Sequence, residues 1–353
     1  MTNVISIVWF LIILSVIVIC HEGGHFLLAR LHGIRVKEFA VGMGPTILHF
    51  KKGETVYSLK LLPLGGACIF DGEDGIGEDG KDDEHSFNNA NVWHRISTVL
   101  AGPVFNFILA MLFAVIIVAN CGSDLPVISG LTEGRPAENS GICAGDTIIE
   151  INGEKIHIWR DISLISILNT GEPLKVKYKR DDRVFETTIV PAYEASENRY
   201  YIGIEGGITY IECKGLNLFK YSFYELEFNF KNTLKSLKQL VLGKLSKDAV
   251  SGPVGIASAV GETYEVAKDY GFSTVILNMM NIAMLLSVNL GVLNLLPLPA
   301  IDGGRLVFLF VEVIRGKPIP PEKEGVVHLI GIVLFFILTI FVLFNDIMKI
   351  VGR

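Results

Sequence analysis

Four runs of apolar residues, at positions 4–20, 96–119, 274–298 and 326–344, constrain this chain more than any other feature. A helix of about 20 apolar residues crosses the ~30 Å hydrocarbon core of a bilayer. Only helices and closed barrels satisfy their backbone hydrogen bonds there. Half of the 353 residues are hydrophobic, and their clumping predicts a polytopic α-helical membrane protein with four transmembrane helices. The first run continues past a short polar cluster to Leu31. It starts almost at the first residue, but its leading MTN has no basic residue and no small-x-small cleavage site follows. It therefore reads as a retained span rather than a signal peptide.

Basic residues orient the spans. Arg30, Arg35, Lys37, Lys51 and Lys52 follow the first run, and Arg95 precedes the second. Arg305, Arg315, Lys317 and Lys323 lie between the third and fourth, whereas the tail has only Lys349 and Arg353. The positive-inside rule then places residues ~30–95 and ~303–325 in the cytoplasm, with both termini and the long segment 120–273 outside. Within the first loop, residues 36–50 and 55–70 mix β-branched and aromatic residues around glycine turns, which predicts short strands packed into the membrane face. Residues 71–84 hold eight acids and one lysine. Their spacing does not match a calcium loop, so a solvated acidic linker is expected. Residues 125–193 alternate strands and turns like a small globular domain. The aromatic, lysine-bearing stretch 214–248 suits an amphipathic helix at a membrane surface or the packed face of a soluble helix. Five scattered cysteines form no CxxC pair, which argues against a thiolate zinc or redox site. A disulfide among Cys121, Cys143 and Cys213 stays open. The net charge of −6 leaves no basic footprint for nucleic acid.

The polar cluster in the first run is His21-Glu22-Gly23-Gly24-His25, an H-E-x-x-H sequence. On a helix, positions i and i+4 share a face, so both imidazoles can reach one metal ion. Glu22, beside the first ligand, can take a proton from the attacking water. Ionisable groups at membrane depth are costly unless something satisfies them, and a metal cage does. A catalytic zinc keeps three protein ligands and one open position, so a third ligand must come from elsewhere. His157 falls on the outer side, and His328 lies near the cytoplasmic end of the fourth run. Asp302 is better placed. It closes Asn294-Leu-Leu-Pro297-Leu-Pro299-Ala-Ile-Asp302-Gly-Gly, where two prolines interrupt the third run at the same depth as His21 and His25. Irregular backbone at that depth is tolerated only where it lines a cavity.

Together, HEGGH and NLLPLPAIDGG resemble the paired motifs of the site-2 protease family of intramembrane zinc metalloproteases, in its bacterial RseP-like branch. Ile301 stands where leucine is usual. AGPVFNF (101–107), GMGP (42–45), LPLGG (62–66), SGPVGI (251–256) and SFNNANVWHRI before the second run also look typical of that branch, so the resemblance covers nearly the whole chain. It implies zinc held by His21, His25 and Asp302, with Glu22 as general base. It also implies substrate contacts at Asn294, Pro297, Pro299, Gly65, Gly66 and Asn106, and a re-entrant β region (35–70) presenting an edge to an unwound substrate. The middle domain looks like a single extracytoplasmic PDZ domain, where some relatives carry two. The implied plan is a first half of the protease core (1–120), a PDZ domain (121–195), an amphipathic connector (196–272) and a second half (273–353). The implied activity is regulated cleavage of transmembrane segments of single-pass proteins, such as anti-sigma factors or remnant signal peptides, in the bacterial cytoplasmic membrane. Those substrates would be trimmed first on the outer side by another protease. A non-proteolytic PDZ scaffold with a structural metal is the alternative, but it would need a fourth protein ligand. An ion transporter would need further intramembrane ionisable groups and an inverted repeat.

Overall fold

The computed structural model describes residues 4–72, 84–196, 198–243 and 252–351. Most of the acidic stretch 71–84 and the end of the 214–248 segment lie outside them. The chain divides into two compact units, Met1–Phe113 with Thr233–Arg353, and Ala114–Asn232.

Helix α1 (Val4–Leu31) takes in the whole first run and its polar cluster without a break. A long hairpin follows, of strands β1 (Val36–Lys52) and β2 (Thr55–Phe70), antiparallel and repeatedly bulged. Thr55, beside the turn, ties the turn end back to the base: its hydroxyl donates to the Val36 carbonyl (2.8 Å). Residues 38–41 of β1 pair on one side with 66–69 of β2 and on the other with 56–59, so the hairpin folds back on itself, and Met43, Ile47, Leu48, Phe50, Leu61 and Leu62 are left exposed. Helix α2 (Val92–Cys121) carries Pro103 inside it. A core of Ala29, Ile34, Val36, Phe70, Phe87, Ile96, Val99, Leu306 and Leu309 ties α1, the hairpin and α2 to a later helix.

The second unit is β-rich. Strands β3 (Ser123–Asp124), β4 (Ile128–Leu131), β5 (Thr147–Ile151) and β6 (Glu154–Lys155) precede helix α3 (Trp159–Leu168). Then come β7 (Leu174–Arg180), β8 (Arg183–Ile189), β9 (Ala192–Glu194), β10 (Arg199–Tyr201), β11 (Ile204–Gly206) and β12 (Tyr210–Ile211). A four-stranded sheet runs β6-β5-β7-β8, and β4 pairs with β11, β3 with β12 and β9 with β10. The expected strands at 147–151 and 183–190 are present, but the unit continues beyond residue 195. Ile202 sits in its core with Ile128, Ile148 and Ile189, and β11 returns to pair with β4. Sequence periodicity could not find so short a closing strand. Asp146 is buried and takes two hydrogen bonds from Arg180 (both 2.7 Å) and one from the Cys143 N–H (2.8 Å). Burial alone would raise its pKa, but these bonds outweigh that and hold the carboxyl below the usual range.

Helix α4 (Leu216–Val241) forms over the expected amphipathic stretch. Beyond it, α5 (Pro253–Ala267), α6 (Phe272–Asn294), α7 (Asp302–Arg315) and α8 (Pro321–Val351) complete the chain. Helices α1, α2, α6 and residues Lys323–Asp346 of α8 are each long and apolar enough to cross a membrane. In α8 only 6% of that apolar window is buried by protein, a surface stable in hydrocarbon and costly in water. Two expectations needed correction. The third span stops at Asn294 rather than 298, because Pro297 and Pro299 deny the backbone its helical path. Part of the expected connection 303–325 is a helix, α7, closed by Gly316 in the left-handed conformation, whose N–H donates to the Glu312 carbonyl (2.8 Å).

Candidate active site and metal centre

Three chain segments converge. His21 and His25 project from one face of α1, four residues apart, and both are buried. Asp302 begins α7, after a tight loop in which Ala300 holds a left-handed φ of 75°. The Ala300 N–H donates to His328 Nδ1 (3.2 Å). His328, weighed above as a third ligand, thus braces the loop that presents Asp302.

The Nε2 atoms of His21 and His25 lie 3.1 and 3.4 Å from Asp302 Oδ2 and 3.3 Å from each other. Asp302 Oδ2 is buried and faces both imidazole Nε2 atoms. Nitrogen and oxygen ligands about 2.0–2.1 Å from a tetrahedral zinc lie about 3.3–3.4 Å apart. The triplet therefore already has the spacing of three corners of a zinc site. Zinc fits this donor set. Among the described residues this is the one cluster of three or more such side chains that could hold a metal ion.

Helix α2 backs the two histidines with residues four apart. Its Thr98 carbonyl accepts from His25 Nδ1 (2.9 Å), and Asn106 Nδ2 lies 3.0 Å from His21 Nδ1. Between them is Gly102, where a Cβ would stand 2.2 Å from His25 Nε2 and 2.8 Å from His21 Cε1. No other residue lets α2 pass so close. Gly24 receives the Ala101 carbonyl, 2.5 Å from where its Cβ would be. Gly23 is the open position of the pair.

A cavity of about 670 Å³ opens onto these groups. His21, Glu22, His25, Gly65, Gly66, Asn294 and Asp302 line it, as do Cys68, Arg305 and His328. Gly66 lies against α1, since a Cβ there would meet Val18 and Glu22 at 2.7 and 2.8 Å. The Cys68 N–H hydrogen-bonds the Glu22 carboxylate. Asn294 Nδ2 is 3.3 Å from His21 Nε2. Other expected substrate contacts fall elsewhere. Pro297 and Pro299 shape the loop behind Asp302 and do not line the cavity. Asn106, expected along the substrate path, is fully buried behind His21. Thr98 was missed because it acts through its carbonyl, a group every residue has. Gly102 lay within the quoted AGP stretch, yet spacing alone gave it no task.

Apolar spanning helices, a zinc-fitting triplet at a helix break and a glutamate beside it define a membrane-embedded zinc metallopeptidase. The chain belongs to peptidase family M50, whose family model matches residues 9–338. It is 40% identical to a zinc metalloprotease of Clostridium acetobutylicum, over 97% of each chain. It is 34% identical to the regulator of sigma-W protease RasP of Bacillus subtilis, over 98% of each. Among solved structures, the PDZ domain of an SdrC-like protein from Listeria monocytogenes covers 24% of this chain and 87% of its own, with 21% identity and a TM-score of 0.22. The protein is thus a zinc metalloendopeptidase of the site-2 protease type.

Proposed function

We propose that this enzyme cleaves single-pass membrane proteins within or beside their transmembrane segments, at a site held by His21, His25, Asp302 and Glu22. The observation that carries this is the mutual spacing of the two imidazole nitrogens and the Asp302 oxygen, on helices apolar enough for a bilayer. Bound zinc supplies Lewis acidity and a usable water nucleophile at neutral pH. The chain's own residues do the rest. Glu22, oriented by the Cys68 N–H, takes the proton from the attacking water and passes it to the leaving amine. Asn294, at the cavity wall, donates to the substrate backbone. Residues 66–70 pair with β1 along one edge and line the cavity along the other. An unwound substrate can add there as a further strand, which a helix with its amides already paired cannot do.

The β-rich unit is a PDZ domain in this proposal. It faces the extracytoplasmic side and admits substrates whose outer part another protease has removed. The chain's termini lie on that side as well, and the zinc site lies toward the cytoplasm of a bacterial cell membrane. The name of the Bacillus subtilis relative ties that protein to sigma-W, and anti-sigma factors are the matching substrate class, with remnant signal peptides the other.

The test is Glu22→Gln in proteoliposomes carrying a single-pass substrate. Zinc should stay bound at one per chain while cleavage falls by about 10²-fold or more. Turnover at the wild-type rate would overturn the assignment of Glu22.

A further inference from the structure

His21 and His25 are held from behind by groups of different kinds. His25 Nδ1 faces the Thr98 carbonyl, which can only accept. That contact puts the ring proton on Nδ1 and leaves Nε2 with its lone pair toward Asp302 and the cavity. His21 Nδ1 faces the side-chain amide of Asn106, which can present either its oxygen or its nitrogen.

The two orientations have opposite consequences. If the amide nitrogen faces His21, it donates to Nδ1, and the ring must carry its proton on Nε2, the atom 3.1 Å from Asp302. That atom is then closed to a metal. Asn106 Oδ1 is also left buried with no hydrogen-bond partner, a costly state for a carbonyl oxygen. A half-turn of the amide sets Oδ1 against Nδ1–H and frees Nε2. Water cannot take over this task, because Asn106 has 0% exposure. The backbone around it is pinned too: the Ser287 hydroxyl donates to the Asn106 carbonyl (2.8 Å).

We infer that Asn106 is a positioning residue for the metal, setting the tautomer of His21 by accepting from its Nδ1–H through Oδ1. The inference rests on the proposed zinc site and replaces the expected contact of Asn106 with substrate. Thr98, Gly102 and Asn106, four residues apart on α2, then form one stripe with one purpose. The outer two orient the two imidazoles, and the middle one lets the helix come close enough for them to do so.

The experiment is zinc affinity of the purified full-length protein, by competition with a chelator of known affinity. Asn106→Leu keeps the size but removes the acceptor, and should weaken zinc binding about 10–100-fold. Asn106→Asp keeps the shape and an acceptor, and should bind zinc within about threefold of wild type, as carboxylate–histidine–zinc pairs do. His21→Ala should lose the site. Wild-type affinity in Asn106→Leu overturns the inference. So does an Asn106→Asp protein that melts like wild type yet binds zinc as weakly as Asn106→Leu. Either result with zinc lost in His21→Ala refutes the role of Asn106 alone. Zinc bound equally by wild type and His21→Ala would instead refute the site itself.

Discussion

At the scale of single residues, the centre depends as much on the absence of side chains as on their presence. The Thr98 carbonyl and the Asn106 amide can back the two imidazoles only if α2 lies within contact of α1, and a Cβ at Gly24 or Gly102 would prevent that approach. Gly102→Ala should therefore weaken zinc binding by at least about 10-fold, in the range seen when groups supporting metal ligands are lost. Gly23→Ala is the control. Its Cβ meets nothing within 4 Å, so zinc content should hold, and the helix should gain about 0.5–1 kcal/mol. Metal analysis and thermal melts of the two purified proteins check both. The HEGGH run pointed to His21 and His25 as candidate ligands and to Glu22 as the candidate base. It could not show which of its glycines mattered, because that depends on a helix some 80 residues downstream.

Among the elements, α6, the loop 295–301 and α7 form one device. The prolines follow the end of α6 at Asn294, and α7 restarts at Asp302, which brings that carboxylate to the two imidazoles. A buried ion pair of Arg95 with Glu312 then fastens α7 to the start of α2, the helix that backs the histidines. The prolines were readable in sequence as a break. The restart as an amphipathic helix was not, because a 14-residue amphipathic stretch lies below any span-length threshold. In the second unit, Asp146 joins β5 to β7 through Arg180. Its folded pKa lies below its unfolded value, so the stabilisation is fully present above about pH 4 and is lost as pH falls through the folded value. Melting of this unit, followed by Trp159 fluorescence with Trp9 and Trp93 replaced by phenylalanine, should drop in acid below pH 4. Arg180→Met should lower the melting point by several degrees at pH 7, with the gap narrowing in acid as Asp146 is protonated in both proteins. A gap that does not change with pH would mean that Arg180 acts by packing alone.

For the whole molecule, the question is how the spans lie in the bilayer. Basic residues between α6 and α8 and after α1 favour the cytoplasm for those connections. In a cysteine-free background, Lys317→Cys should react with a membrane-impermeant maleimide only after the cells are opened. Glu133→Cys, on the β-rich unit, should react in intact cells. The reverse pattern would invert the topology and place the metal site at the other face.

The sequence alone determined the four apolar helices, the candidate ligands His21 and His25 with Glu22 beside them on α1, the candidate acidic ligand Asp302 after the broken helix, and a β-rich unit between the halves. Each rests on local spacing: 3.6 residues per turn, span length, or a proline that ends a helix. Only the tertiary structure decided what stands behind those groups. The Thr98 carbonyl, the place of Asn106 behind His21 rather than in the substrate path, the bracing by His328 and the return of β11 onto β4 all join residues distant in sequence. Backbone carbonyls and missing side chains leave no chemical signature in a string of letters; their roles appear only when packing brings another helix within reach.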